Sequence, residues 1–245
     1  MRTSVIMTAY KRSQQLDRTL ESIATQTRRP DQVVVVEDGF DGGATQDVCV
    51  LWKGRGLPIE YICRKNRPDV GYSNPAIPKN IGIKHATGDI LIIQCGEVMY
   101  TDREDVAKLV RPLEESKYVS MIATVSARDE QGSFQEWYAG PKRDSKLFLD
   151  FCQSVHRQDV LAIGGFDEQY EGYGFDDSDF ALRLQASGVQ YRWALDVECY
   201  HQWHFISRSI SAAGRSKYDH AKEEVLAGRR SPVANVGRLW GDLNS

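Results

Sequence analysis

Asp176, Asp177 and Asp179 stand close together inside the stretch Gly172-Tyr173-Gly174-Phe175-Asp176-Asp177-Ser178-Asp179-Phe180. The run Phe180 to Ser187 that follows reads as a helix, and carboxylates in a first helical turn are favoured by its positive end. Capping alone leaves the neighbouring glycines and aromatics unexplained. Glycine lets backbone approach a ligand closely, and Tyr173 and Phe175 offer flat apolar faces beside the acids. Such a set suits a site that holds a polyol and takes a proton from it. Asp179 also lies four residues before Arg183, the spacing of an ion pair on one helix face.

The elements that position this stretch begin with Ser4-Val5-Ile6-Met7-Thr8-Ala9, a short apolar run that suits a buried parallel strand. Leu16, Leu20, Ile23 and Ala24 then recur at helical spacing after Ser13, and Pro30 stops that helix. Val33 to Val36 form a second strand, ending in the acidic, glycine-rich Glu37-Asp38-Gly39-Phe40-Asp41-Gly42-Gly43. Strand, helix and strand make a βαβ unit of an open α/β sheet. Ligands of such sheets sit beyond the carboxyl ends of the strands, where Thr8, Ala9, Tyr10 and the Glu37 to Asp41 loop fall.

Val48 to Pro58 is expected to be irregular, Ile59 to Ile62 a strand, Asn66 to Pro78 a loop, Lys79 to Ala86 a short helix and Ile90 to Ile93 a buried strand. A helix capped by Asp102 presents Val106, Leu109, Val110 and Leu113 on one face, and Pro112 is expected to kink it or end it early. Val119 to Val125 reads as a strand. Ser126 to Asp144 reads as a polar loop whose Phe134, Trp137 and Tyr138 either bind a ligand or staple the loop to the body. A short helix over Gln158 to Ile163 precedes the acidic stretch, and Val189 to Leu195 reads as a strand. The tail from Ser207 to Ser245 is basic through Arg230, which suits a solvated helix or a surface for an anionic partner.

The chain has 245 residues, 41% hydrophobic and 27% charged, with net charge -3. That is enough for a single core without staples and argues against a general electrostatic grip on nucleic acid. Cys49, Cys63, Cys95, Cys152 and Cys199 are scattered and show no C-x-x-C spacing, so neither a disulfide framework nor a zinc site is expected. No apolar run reaches membrane-spanning length and no secretory signal pattern stands at the amino terminus, so the expectation is a cytoplasmic protein.

In order along the chain, Ser4 to Arg12, Val33 to Asp41, Pro78-Lys79-Asn80-Ile81-Gly82, Gly88 to Ile93 and Gly164 to Asp179 resemble the GT-A fold glycosyltransferases of family 2. The Gly172 to Phe180 segment is similar to the carboxyl-terminal motif of galactosyltransferase-type enzymes. The resemblance implies an α/β, Rossmann-like mixed sheet flanked by helices, a single domain of two abutting halves. Residues 1–100 would bind a nucleotide-sugar, residues 101–206 would bind the acceptor and carry catalysis, and residues 207–245 would be a basic tail.

It implies an inverting transfer of a sugar from a nucleotide-diphospho-sugar, expected to be a UDP-sugar, to an acceptor hydroxyl. Thr8, Ala9 and Tyr10 would border the nucleoside, Asp38 would read the base, with Glu37 and Asp41 as helpers, and Lys79 would meet the diphosphate. Asp177 matches the general base and Asp176 its acidic neighbour, which orients acceptor hydroxyls. Trp137, Tyr138, Tyr173 and Gly174 are the acceptor-side candidates. The acceptor is open between a glycan, a protein side chain, a small molecule and a modified base in nucleic acid.

The family usually places D-x-D after its fourth strand to hold Mn²⁺ or Mg²⁺, and this sequence has Cys95-Gly96-Glu97 there. Glu97 offers a hard oxygen ligand and Cys95 a soft sulfur, while His201 and His204 lie where the family's later histidine completes the metal shell. A sugar-nucleotide binder without catalysis is the alternative reading. A nucleotidyltransferase ranks last, because Tyr10-Lys11-Arg12-Ser13 has no glycine to cradle phosphate.

Overall fold

The computed structural model describes residues 1–65, 75–141, 151–171, 174–204 and 212–243. Its first half alternates β1 (Thr3–Ala9), α1 (Ser13–Ala24), β2 (Gln32–Glu37), α2 (Ala44–Gly54), β3 (Ile59–Cys63), α3 (Ala76–His85) and β4 (Ile90–Cys95). The four strands are parallel in the order β3-β2-β1-β4. Val33 to Val36 are all fully buried because helices cover both faces of the sheet.

The expected irregular stretch after Val48 is instead mostly helical, forming α2. It buries Cys49 and Trp52 but turns Val50 and Leu51 to solvent, and those exposed apolar residues hide the helical period. The loop expected over Asn66 to Pro78 lies largely outside the described residues, and α3 already begins at Ala76.

The second half runs β5 (Val98–Tyr100), α4 (Asp105–Glu115), β6 (Val119–Arg128), β7 (Phe134–Ala139), β8 (Cys152–His156), α5 (Arg157–Ala162), α6 (Asp176–Ala186), β9 (Gln190–His201) and α7 (Ala212–Leu226). The sheet continues past β4 as β8-β6-β9-β5, with β7 on β6. β8 enters antiparallel between β4 and β6, whereas β9 lies parallel to β6. The sheet is therefore mixed.

Part of the expected Ser126 to Asp144 loop is ordered as a hairpin: β6 extends to Arg128, Asp129 and Gly132 close the turn, and β7 returns. In β7 the exposed residues Phe134, Gln135 and Glu136 are consecutive and only Ala139 is buried, so the strand lacks the alternation that marks a half-buried strand. β8 escapes a sequence reading for the opposite reason. It is fully buried yet carries Gln153 and Ser154, and the Ser154 hydroxyl donates to the Leu109 carbonyl at 2.7 Å.

Pro112 sits inside α4, which runs on to Glu115. The helix begins at Asp105 with Glu104 in the N-cap position, and the expected Asp102 and Asp105 pair closes the turn into it: Asp105 accepts the Thr101 and Asp102 N–H groups and Asp102 accepts the Glu104 N–H.

Two apolar layers sandwich the sheet. Leu16, Leu20, Trp52, Leu109 and Leu113 fill one, and Ile81, Ile83, Val160, Phe166, Phe180 and Leu184 the other. A third cluster of Tyr170, Phe175, Leu182, Tyr218 and Val225 fastens α7 to α6. Among the described residues, no helix is long and apolar enough to cross a membrane.

Candidate functional site

The carboxyl ends of β1, β2 and β4 meet at one edge of the parallel sheet, where Thr8 pairs in register with Val36 and Cys95, and Ala9 with Glu37. The Ala9 carbonyl accepts the Asp38 N–H at 2.8 Å, which brings the base-reading candidate beside Thr8, Ala9 and Tyr10. Asp38 is almost buried, and its carboxylate lies 3.0 Å from the guanidinium of Arg64, itself 3% exposed. The sequence reading missed Arg64; an arginine directly after Cys63 at the end of β3 was the available signal.

Glu37 and Asp41 have structural partners. Glu37 accepts the Tyr61 hydroxyl and the Asp41 N–H, and burial raises its pKa despite those bonds. Asp41 binds the Thr45 hydroxyl and backbone N–H groups of Gly43 and Thr45. Burial pushes its carboxyl upward, but these donors hold it below its ordinary value.

After β4 the chain turns at Cys95-Gly96-Glu97. A Cβ on Gly96 would stand 2.6 Å from the Thr8 carbonyl oxygen, so glycine is what lets this turn lie on the end of β1. Glu97 is buried and ion-paired with Arg12. Desolvation alone would raise its pKa, and the Arg12 guanidinium beside it brings it below the usual value. The Glu97 carbonyl accepts the Gln202 N–H at 3.0 Å, tying this turn to the end of β9.

His201 and His204 stand with ring centroids 5.0 Å apart. His201 Nδ1 contacts the Gln202 carbonyl at 3.0 Å, and burial pushes the imidazole down to about 4, which keeps it neutral. Glu97 and the two histidines thus converge. Among the described residues no group of three or more His, Cys, Asp or Glu side chains is placed to hold a metal ion by itself. One carboxylate and a neutral imidazole nevertheless fit a hard cation that draws its remaining ligands from phosphate and water. Cys95 adds little to such a set.

The acidic motif sits at the start of α6. Asp176 is 4% exposed, and its Oδ2 lies 3.1 Å from Lys79 Nζ on α3. The same ammonium lies 4.5 Å from the centre of the Phe166 ring. Asp177 is half-buried, and its Oδ1 accepts the Ser178 N–H at 2.7 Å. Asp179 is fully buried against Arg183 at 2.6 Å, the ion pair expected from their spacing. Arg183 also donates to the Ile163 and Gly165 carbonyls, which locks the glycine turn under the motif. Gly174 and Phe175 both have left-handed backbone, at φ +95° and +73°. Tyr173 lies outside the described residues.

Trp137 and Tyr138 come from the β6–β7 hairpin. Tyr138 stacks on Phe151 with centroids 5.2 Å apart and meets the edge of His201 at 5.3 Å. Trp137 lies 5.3 Å from Phe134. Tyr138, Arg128, Glu136, His201, Trp203 and His204 line a cavity of about 370 Å³. The structure therefore brings Tyr138 to the histidine pair, while Trp137 packs on Phe134.

The sequence model of glycosyl transferase family 2 matches residues 4–170, and that of the N-terminal domain of galactosyltransferase matches residues 139–206. The chain is 37% identical over 76 residues to the uncharacterized glycosyltransferase YfnE of Bacillus subtilis, covering 31% of this chain and 19% of that protein. It is 26% identical over 194 residues to the uncharacterized glycosyltransferase YwdF of the same organism, covering 75% and 68%.

Among solved structures, the fold is similar to the mannosyltransferase PcManGT of Pyrobaculum calidifontis in complex with GDP-Man and Mn²⁺, at TM-score 0.64, 19% identity and coverage of 91% and 69%. It is also similar to S. aureus TarS 1–349 in complex with UDP-GlcNAc, at TM-score 0.66, 14% identity and coverage of 93% and 66%. The helix-flanked mixed sheet is the GT-A fold of those neighbours. With a family match across more than half its length and the GT-A fold, this chain belongs to glycosyl transferase family 2.

Proposed function

We propose that the protein transfers a sugar with inversion from a UDP-sugar to an acceptor hydroxyl, with Asp177 as the general base. The observation that carries this reading is the contrast between two adjacent acids: Asp176 is buried against Lys79, whereas Asp177 is half-buried. A base must touch the hydroxyl it deprotonates. Asp177 takes the acceptor proton as that oxygen attacks the anomeric carbon, the bond to the diphosphate breaks, and Asp176 holds the Lys79 ammonium in place.

In this reading residues 1–100 hold the donor. Thr8, Ala9 and Tyr10 border the nucleoside, and Asp38, set by Arg64, accepts the imide N–H of uracil. Lys79 has three donors on one ammonium, so it bridges Asp176 and a diphosphate oxygen. Glu97 with His201 or His204 would hold Mn²⁺ or Mg²⁺, which supplies positive charge to the leaving diphosphate when bound. Trp137, Tyr138, Tyr173 and Gly174 form the acceptor side, within residues 101–206.

The test is Asp177→Asn assayed against a panel of nucleotide sugars. Transfer or donor hydrolysis is expected to fall by at least about a hundredfold, with nucleoside diphosphate still raising the melting temperature. Unchanged turnover removes Asp177 from the base role. Donor binding without any release of nucleoside diphosphate by the unaltered protein would favour a catalytically silent binder instead.

A further inference from the structure

Phe175 immediately precedes the two acids and holds φ at +73°, a region that an aromatic residue rarely adopts. It stands at the N-cap position of α6 and makes no side-chain cap hydrogen bond, so no local bond from its side chain compensates that conformation. Its carbonyl accepts the Asp179 N–H at 2.9 Å, so the backbone of Phe175 directly fixes the first turn that carries Asp176 and Asp177.

The aromatic and cationic contacts of the Phe175 ring come from α7. Its ring stacks on Tyr218 with centroids 5.6 Å apart and planes at 27°, and the Arg215 guanidinium lies 5.1 Å from the ring centre. Phe175 and Tyr218 are 9% and 8% exposed, and Tyr170, Leu182 and Val225 complete the cluster. α7 is anchored independently of this stack, because Lys217 lies 3.0 Å from the buried Asp167 carboxylate. Strained backbone persists only where surrounding structure over-determines it. Here the over-determining element is a helix remote in sequence from the acids.

We propose that Tyr218, seconded by Arg215, is a positioning residue that clamps Phe175 in its left-handed conformation and so sets the direction of the Asp176 and Asp177 carboxylates. The inference rests on the assignment of Asp177 as base and adds a role for α7, which contributes none of the donor, metal or acceptor candidates. Glycine adopts positive φ without penalty, so a glycine at position 175 no longer needs the clamp. A role in packing alone predicts the reverse, because Phe175→Gly deletes the same ring contact as Tyr218→Ala.

The experiment compares Tyr218→Ala, Tyr218→Phe, Phe175→Gly and the double variant Phe175→Gly/Tyr218→Ala. Donor turnover, donor KM and the ¹³C backbone chemical shifts of residue 175 are measured in each. Tyr218→Ala is expected to lower kcat on the order of a hundredfold with donor KM unchanged, and to move the Phe175 shifts out of the left-handed range. Tyr218→Phe keeps the ring and is expected to keep the rate. Phe175→Gly and the double variant are expected to turn over alike, well above Tyr218→Ala.

Left-handed shifts that survive in Tyr218→Ala overturn the clamp, as does a Phe175→Gly rate no better than that of Tyr218→Ala. If the unaltered protein turns over no donor, the enzymatic reading fails separately, and the shifts alone decide the clamp.

Discussion

Lys79 Nζ lies 3.1 Å from Asp176 Oδ2, joining helices whose partners are 97 residues apart in sequence. Both groups are nearly buried. Removing one partner of such a pair leaves an uncompensated charge, whereas removing both leaves none. Lys79→Met is therefore expected to cost about 3 kcal/mol, and the Lys79→Met/Asp176→Asn double variant to recover a large part of it. Denaturant titration of the two singles and the double measures the coupling, and simple additivity would mean that the pair contributes nothing.

Gly96 makes the second test. An alanine there meets the Thr8 carbonyl oxygen at 2.6 Å, so the Cys95-Gly96-Glu97 turn or the end of β1 must move. Gly96→Ala is expected to destabilise by about 1–3 kcal/mol and to weaken nucleotide binding. Calorimetric titration with UDP, set beside the melting temperature, separates the two effects.

Glu97 and the histidines predict a cation response. Mn²⁺ added with UDP is expected to raise the melting temperature more than UDP alone, since ligands of the native state stabilise it by mass action. Glu97→Gln, assayed by thermal shift, is expected to abolish the increment due to Mn²⁺ and leave that due to UDP.

Much of this arrangement is legible in the chain, and the reasons for the gaps are physical. β1, β2 and β4 announce themselves because parallel strands covered on both faces are apolar without interruption, as in Val33 to Val36. Asp179 with Arg183 follows from helical spacing. β8 is hidden because it buries polar side chains, one of which, Ser154, is satisfied by the Leu109 carbonyl far away in sequence. Arg64 was missed for the same reason, since its partner Asp38 lies on another strand's end. The basic tail was read from charge alone, and charge does not reveal that Lys217 and Arg230 both approach Asp167 or that Arg229 pairs with Glu224.

Asp167 supplies a pH prediction. Burial alone would raise its carboxyl, but the Gln169 N–H, the Lys217 ammonium and the Arg183 guanidinium together hold it below its ordinary value. A depressed carboxylate stabilises the fold above its unfolded pKa and loses that contribution as pH falls through the folded value. Stability is therefore expected to decline as acid takes the pH down from the ordinary carboxylate range through the lowered folded value, more steeply than in Asp167→Asn, as read from urea midpoints on a pH series.

The insertion of β8 between β4 and β6 also matters while the chain is being made. Strands β3, β2, β1 and β4 can associate as soon as Cys95 has emerged, but the outer edge of β4 has no partner until Cys152–His156 follow. At about 5–20 residues per second that edge stays open for several seconds. It presents Ile90-Leu91-Ile92-Ile93, an unpaired apolar strand of the kind that templates association with other chains. Synthesis, more than the finished molecule, is where this architecture is exposed to misassembly.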